Sequence, residues 1–457
     1  MKYPEFDKIK NKHYTPAFEK GMADHMAEID AIAERADSPT LENTIISMEK
    51  SGALLDRVST VFFSLISANT NDEMEKIRSE MAPKLSAHSD QILLNGKLFH
   101  RVKTIYEQRD QLGLDTESKR LVEKYYTDFI RSGANLSSEE KESLKKINGE
   151  MAVLQTTFSQ NVLKEVNALA VVVDSKDELD GLSDAAIEAA ANEAKSRELD
   201  GKYVLTLRNT SGQPPMASLT NRALRERIHK TSLSRGSRGS DFDNRDILAN
   251  VIKLRAEKAQ LMGYDNHAAY SLENQTAQTP KAVNERLSSL APKAVANANK
   301  EATDLQKMID AEDGSFKLAS WDWDFYTEKV RADRYNFDAS QLKPYFEMDN
   351  VLQNGVFYAA TQLFGITFKE RFDLPVYQED VRVFEVFNED GSVLALFIFD
   401  GYARSSKRGG AWMNAYVGQS KLKGNKPVIA NHLNVVKPPK GEPTLMSFDE
   451  VITTFHE

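Results

Sequence analysis

Cysteine is absent from all 457 residues, which excludes disulfides, thiol catalysis and cysteine-ligated zinc and leaves the redox compartment open. No apolar run approaches the ~20 residues that span a bilayer. The start, Met1-Lys-Tyr-Pro-Glu-Phe6, has a charge but no apolar signal-peptide stretch, so cytoplasm is the expected compartment and no membrane partner is expected. A basic surplus is also lacking: the net charge is -9, whereas phosphate backbones select a basic surface. Nucleic acid is therefore not expected as a partner. Neither a Gly-x-Ser-x-Gly elbow nor a phosphate-cradling glycine loop after a strand occurs. Carboxylates are spread along helix faces, without a pairing that marks a glycosidase. Hydrophobic content of 41% and charged content of 28% are ordinary for a globular protein, and the length allows two to four domains' worth of core.

Up to about residue 165, helix follows helix. Thr15-Pro16 reads as an N-cap and first-turn proline ahead of a stripe at Phe18, Met22, Met26, Ile29 and Ile32. Two more helices run from near Thr40 to about Leu94, divided by 67–72, where Asn71 or Asp72 can cap the second. Ser137-Ser-Glu-Glu140 is a capping box. Beyond it Leu144, Ile147, Met151, Leu154, Phe158 and Val162 form a near-heptad stripe, which predicts packing against another helix, with a coiled-coil oligomer as the alternative.

Short strands at 169–173 and 203–207 then bracket a helix at about 183–198, and 209–215 is a turn-rich loop. Helices are expected at about 218–233, 244–262, 280–312 and 323–335, with one more ending near Leu363. The basic segment Ser234-Arg-Gly-Ser-Arg-Gly-Ser240 reads as an anion contact or as a mobile surface loop. A hairpin at 381–399, a strand at 411–417 and a fourth at 428–436 make a small antiparallel sheet. The chain divides into a helical region 1–165, a mostly helical region 166–340 with short strands, and a region 341–457 holding the sheet and a final helix.

That helix opens on a second capping box, Ser447-Phe-Asp-Glu450. Phe448, Val451, Ile452 and Phe455 recur at helical spacing and read as one buried face. It closes on His456-Glu457 with no glycine, proline or polar turn, so the expectation is a helix cut short. His-Glu is the first half of His-Glu-x-x-His, in which two imidazoles hold zinc and the glutamate takes the proton of the attacking water. The ordinary alternative for His456 is a partly buried helix histidine bonded to a neighbour. The other histidines do not pair at three- or four-residue spacing, so each reads as surface or interhelical. Gly409-Gly410 beside a strand permits close approach of another backbone, either a peptide laid along the edge or a bulge or hairpin corner.

Arg408-Gly-Gly-Ala-Trp-Met413, Lys426-Pro-Val-Ile429 and Phe448 to Glu457 together resemble the thimet-oligopeptidase-type zinc metallopeptidases, nearest their peptidyl-dipeptidase branch. Upstream, His13-Tyr-Thr-Pro-Ala-Phe18, Leu261-Met-Gly-Tyr264, Trp321-Asp-Trp323 and Lys343-Pro-Tyr-Phe-Glu347 agree in the same order. The resemblance implies a mainly α, multi-helical two-lobed zinc-peptidase fold with a small antiparallel β-sheet before the active-site helix. It implies one Zn(2+) per complete site, His456 as first metal ligand, Glu457 as general base, and Gly409, Gly410, Ala411 and Trp412 as the substrate-side edge. Short or unfolded peptides are the implied substrates, dipeptides released from the free C-terminus the implied product, and a monomer the expected state. The second His and the Glu ligand would fall beyond Glu457, so an N-terminal fragment inactive by itself is expected. A helical peptide-binding or scaffold protein that lacks the chemistry is the alternative.

Overall fold

The computed structural model describes residues 2–208, 213–312, 314–336 and 339–457; of the expected 209–215 loop, residues 209–212 lie outside the described residues. The N-terminal part comprises α1 (Tyr14–Ala33), the single turn α2 (Ser47–Lys50), α3 (Ala53–Ala68), α4 (Asp72–Leu93), α5 (Gly96–Gln108), α6 (Thr116–Arg131) and the long α7 (Ser138–Ala168). Side-chain caps fix several starts. Asn71 Oδ1 accepts from the Met74 amide at 3.0 Å, and Ser137 and Glu140 exchange both bonds of a capping box. Thr15 is not a cap. Helix α1 grows out of a 3-10 turn at Asn11–His13 and begins at Tyr14, so Thr15 and Pro16 lie within its first turn, where a missing N–H is tolerated.

Strands β1 (Ala170–Val173) and β2 (Tyr203–Thr206) bracket α8 (Asp184–Ser196) and pair antiparallel. Helices α9 (Arg222–Leu233), α10 (Arg245–Leu261), α11 (His267–Leu272), α12 (Pro280–Ala311) and α13 (Trp323–Tyr335) follow. Then α14 (Met348–Asn350) runs through a π-helical turn at Val351–Phe357 into α15 (Tyr358–Phe364). The apolar stripe of α7 packs within the chain, against α4 and α10. The 234–240 segment does meet an anion, but an internal one. Arg238 donates to the buried Glu165 carboxylate at 2.8 and 3.1 Å, and the Gly236 amide and Ser240 hydroxyl donate to it as well. A buried carboxylate needs such donors, so this surface segment is tied to α7 through Glu165.

The sheet contains β3 (Thr367–Glu370), β4 (Arg382–Phe387), β5 (Val393–Tyr402), β6 (Trp412–Val417) and β7 (Val428–Val435), in the order β3-β4-β5-β7-β6. Its pairs are antiparallel except β5 with β7, which run parallel from Leu396↔Val428. The chain from β5 goes out to β6 at the edge and returns through β7 into the middle. Strand β3, Thr-Phe-Lys-Glu, is too short and polar to declare itself in the sequence.

Alternation along the strands gives the sheet two apolar faces. Val383, Leu396, Ile398, Tyr416, Val428 and Ala430 join Phe18, Phe62, Ile77 and Met81 of the N-terminal helices in one core. Phe384, Phe399, Leu433 and Val435 point the other way, onto Met348, Leu352, Phe357 and Met446. Helix α16 (Phe448–His456) sits on that second side, so the sheet separates the N-terminal helices from the closing helix.

Candidate active site

Strand β6 is an edge strand, with β7 on one side and no strand on the other. A groove of about 410 Å³ runs along it, walled by Ser59, Thr60, Phe63, Ser64 and Ser67 of α3 and by Arg408, Trp412, Met413 and Asn414. Consecutive strand residues point to opposite faces, so lining by Trp412, Met413 and Asn414 together places the groove at the strand's free edge. The lead into β6 is a glycine corner. Gly410 has φ +85° with open space around the position of a Cβ, so backbone conformation is what demands glycine there. Asn434 Nδ2 donates to the carbonyls of Arg408 and Gly410 and clamps the corner to β7.

Beneath the edge lies a buried polar cluster centred on Asp400. Its carboxylate accepts from Tyr377 Oη at 2.7 Å, from Arg404 at 2.8 and 2.7 Å and from Lys407 Nζ at 3.0 Å, with His432 Nδ1 3.2 Å away. Burial pushes the carboxyl up, but the bonds from Arg404 and His432 and the Lys407 charge outweigh it and hold Asp400 well below the ordinary carboxylate range. Lys407 is lowered to about 8 by desolvation, against the pull of Asp400. Its ammonium also donates to the carbonyls of Asp400, Tyr402 and Leu433. Filled on every side, Asp400 is a structural anchor with no lone pair left for substrate.

The cluster fixes the edge through aromatic stacking. His432 Nε2 lies 2.9 Å from Asn414 Oδ1, and Asn414 Nδ2 donates to Ser64 Oγ of α3 at 2.9 Å. The Trp412 ring lies flat on His432, centroids 4.5 Å apart at 14°. Arg408 covers the other side of the indole at 4.2 Å. His432 was expected at the surface or between helices; it is instead fully buried inside the sheet. Burial lowers its pKa, against Asp400. No local pattern announces this, because its partners are 18 and 32 residues away in sequence.

Helix α16 starts as its capping box dictates, Ser447 and Glu450 exchanging bonds at 2.7 and 3.2 Å. The face expected to be buried is not: Phe448 is 60%, Ile452 53% and Phe455 49% exposed. Phe448 nonetheless stacks on Phe346 with centroids 5.9 Å apart and the Phe455 ring lies against Gly355, while Val451 joins the Phe399 and Leu433 core and Thr454 is buried. His456 is exposed and its imidazole has no hydrogen bond among the described residues, unlike the partly buried, partnered histidine of the ordinary reading. Glu457 is half-buried and close enough to Arg408 for its charge to raise the arginine's pKa, against the lowering by partial desolvation. The expected site residues thus lie at two places: Gly409 to Trp412 leading into the edge strand, and His456-Glu457 ending α16. Arg408 stands between them; it opens the Arg408–Met413 motif but was not among the expected site residues.

A catalytic zinc takes three protein ligands. Among the described residues no group of three or more His, Asp or Glu side chains is placed to hold a metal, and His456 supplies one. The residues present do not by themselves complete a zinc site. Among the described residues, no helix is long and apolar enough to cross a membrane.

Residues 215–457 match the model of peptidase family M3. The chain is 43% identical over 454 residues to the dipeptidyl carboxypeptidase of Escherichia coli (strain K12), an alignment covering 99% of this chain and 67% of that protein. It is 33% identical over 461 residues to oligopeptidase A of the same organism, covering 99% and 68%. A probable cytosolic oligopeptidase A of Arabidopsis thaliana is 31% identical over 474 residues, covering 100% of this chain and 67% of the relative. The chain spans about two thirds of the length of these curated relatives.

Proposed function

The chain belongs to peptidase family M3, and from that footing we propose that it carries the first zinc ligand, the general base and the peptide-binding edge of a zinc metallopeptidase. His456 is the ligand and Glu457 the base. Gly409, Gly410, Ala411 and Trp412 hold substrate main chain by strand addition along the groove. A zinc ion held by His456 with further ligands would supply the activation of the attacking water, and Glu457 would accept that water's proton. Substrates are short or unfolded peptides, and dipeptides leave from the free C-terminus, the activity named for the 43% identical relative. A cytoplasmic monomer is part of the same reading.

The observation that carries it is the open edge of β6, with the Arg408 guanidinium linking it electrostatically to Glu457. With a single imidazole available, the 457 residues alone are expected to hold no stoichiometric zinc and to leave peptides intact. Zinc analysis and a peptide digest check this, and robust hydrolysis would sink the one-ligand argument. Joined to the last third of the Escherichia coli relative, the chain is expected to bind zinc and release C-terminal dipeptides. Glu457→Gln should then cut the rate by about 10²–10⁴-fold. A joined protein that folds and binds zinc but does not cleave favours the second reading, a helical peptide-binding scaffold, which the lone imidazole supports.

A further inference from the structure

Arg408 differs from an ordinary surface arginine in how it is held. Its backbone is clamped on both sides, the N–H donating to the Ser67 carbonyl at 2.9 Å and the carbonyl accepting from Asn434 at 2.9 Å. Its guanidinium lies on Trp412, Trp412 on His432, and His432 against Asp400 and Asn414. The plane of the fork is therefore set by a stack rooted in the protein core. Yet among the described residues that fork has no hydrogen-bond acceptor, and its nearest opposite charge acts only electrostatically, from Glu457. An ordered guanidinium with unused donors facing a groove matches a planar carboxylate, which it can grip with two parallel bonds.

Strand direction says which carboxylate. A peptide added antiparallel to β6 runs with its C-terminus toward the start of that strand, and Arg408 lies just before that start. A parallel peptide would bring its α-ammonium there, against the guanidinium. We propose that Arg408 is the receptor for the C-terminal carboxylate of the bound peptide, and so a specificity-determining residue that favours cleavage near a free C-terminus over internal cleavage. The inference rests on the peptide-cleaving reading above and adds the end of the substrate that is recognised.

The test is binding to the 457-residue chain, followed by calorimetry and by tryptophan fluorescence, with one pentapeptide as free acid and as C-terminal amide. The free acid is expected to bind about tenfold or more tighter than the amide, with a preference that shrinks as salt rises. Arg408→Gln should remove that preference, weakening the free acid far more than the amide, and Arg408→Lys, keeping charge without the fork, should retain part of it. An acid preference that persists in Arg408→Gln overturns the inference and leaves the peptidase reading standing. So does equal binding of acid and amide by the wild-type chain, and so does equal loss of both in the variant, which marks a structural role. An amide with a C-terminal aspartate side chain that binds as well as the free acid also overturns it, since the site would then read any carboxylate. Failure of both peptides to bind the wild-type chain overturns the edge-strand reading itself.

Discussion

Replacing Asp400 by Asn is the most informative single change, because the carboxylate sits among four donors, Tyr377, Arg404, Lys407 and His432, with almost no access to water. Asp400 is 1% and Lys407 0% exposed at the side chain, so neither charge is screened by solvent. The substitution keeps shape and one acceptor while removing the charge that compensates Lys407 and Arg404. Taking away one partner of a buried ion pair costs about 3–5 kcal/mol, since the remaining charge stays desolvated. Lys407, already lowered to about 8 with Asp400 present, would fall further and bury a neutral amine. Urea unfolding of Asp400→Asn, Lys407→Met and the double variant forms a cycle that isolates their coupling. The double variant is expected to be more stable than the sum of the single losses, because it leaves no unpaired charge between these two groups. Since Asp400 anchors His432 and thereby Trp412, the Asn variant should also weaken peptide binding at β6. A loss below about 1 kcal/mol, or strictly additive single losses, would refute the account of Asp400 as the anchor of the edge.

Two further outcomes are expected. His25 Nδ1 and His88 Nε2 lie 3.0 Å apart between α1 and α4, and desolvation lowers both pKa values below the ordinary 6.5, with Glu28 opposing at His25 and the His25 charge adding at His88. Their neutral forms are thus favoured in the folded state. Their contribution is complete above the unfolded value and lost as pH falls from about 6.5 through the folded values. Melting temperatures between pH 7.5 and 5 should therefore fall more steeply for the native chain than for the double variant His25→Gln/His88→Gln; parallel curves would contradict this. Glu165→Gln should release the 234–240 segment from α7, because the charge held by Arg238, the Gly236 amide and Ser240 is gone. Trypsin is expected to cut at Arg235 or Arg238 markedly faster in the variant, and an unchanged rate would show that the tie is held elsewhere.

The elements most legible in the sequence were those whose cause is local. Capping boxes at Ser137 and Ser447, the Thr279-Pro280 start of α12 and the Asn388–Gly391 turn of the β4–β5 hairpin all act within a few residues, and all stand where that chemistry puts them. What could not be read depended on pairing across long stretches. The parallel β5–β7 contact is one case. Hydrophobic alternation specifies which side of a strand is buried but not which strand lies beside it. The Asp400 cluster is another: Tyr377, Arg404, Lys407 and His432 carry no common spacing, and only the fold brings them around one carboxylate.

Helix α16 shows the limit from the opposite side. Its apolar residues were correctly read as helical, since period alone establishes that, but period says nothing about what lies opposite. Phe448, Ile452 and Phe455 keep about half of their surface exposed, although Phe448 stacks on Phe346 and Phe455 lies against Gly355, while Val451 and Thr454 turn inward. The same helix carries His456 exposed and Glu457 facing the arginine that borders β6. The buried Asp400 cluster ties β6 from beneath, through His432 to Trp412 and Asn414, so the edge strand is held in place without a strand on its outer side.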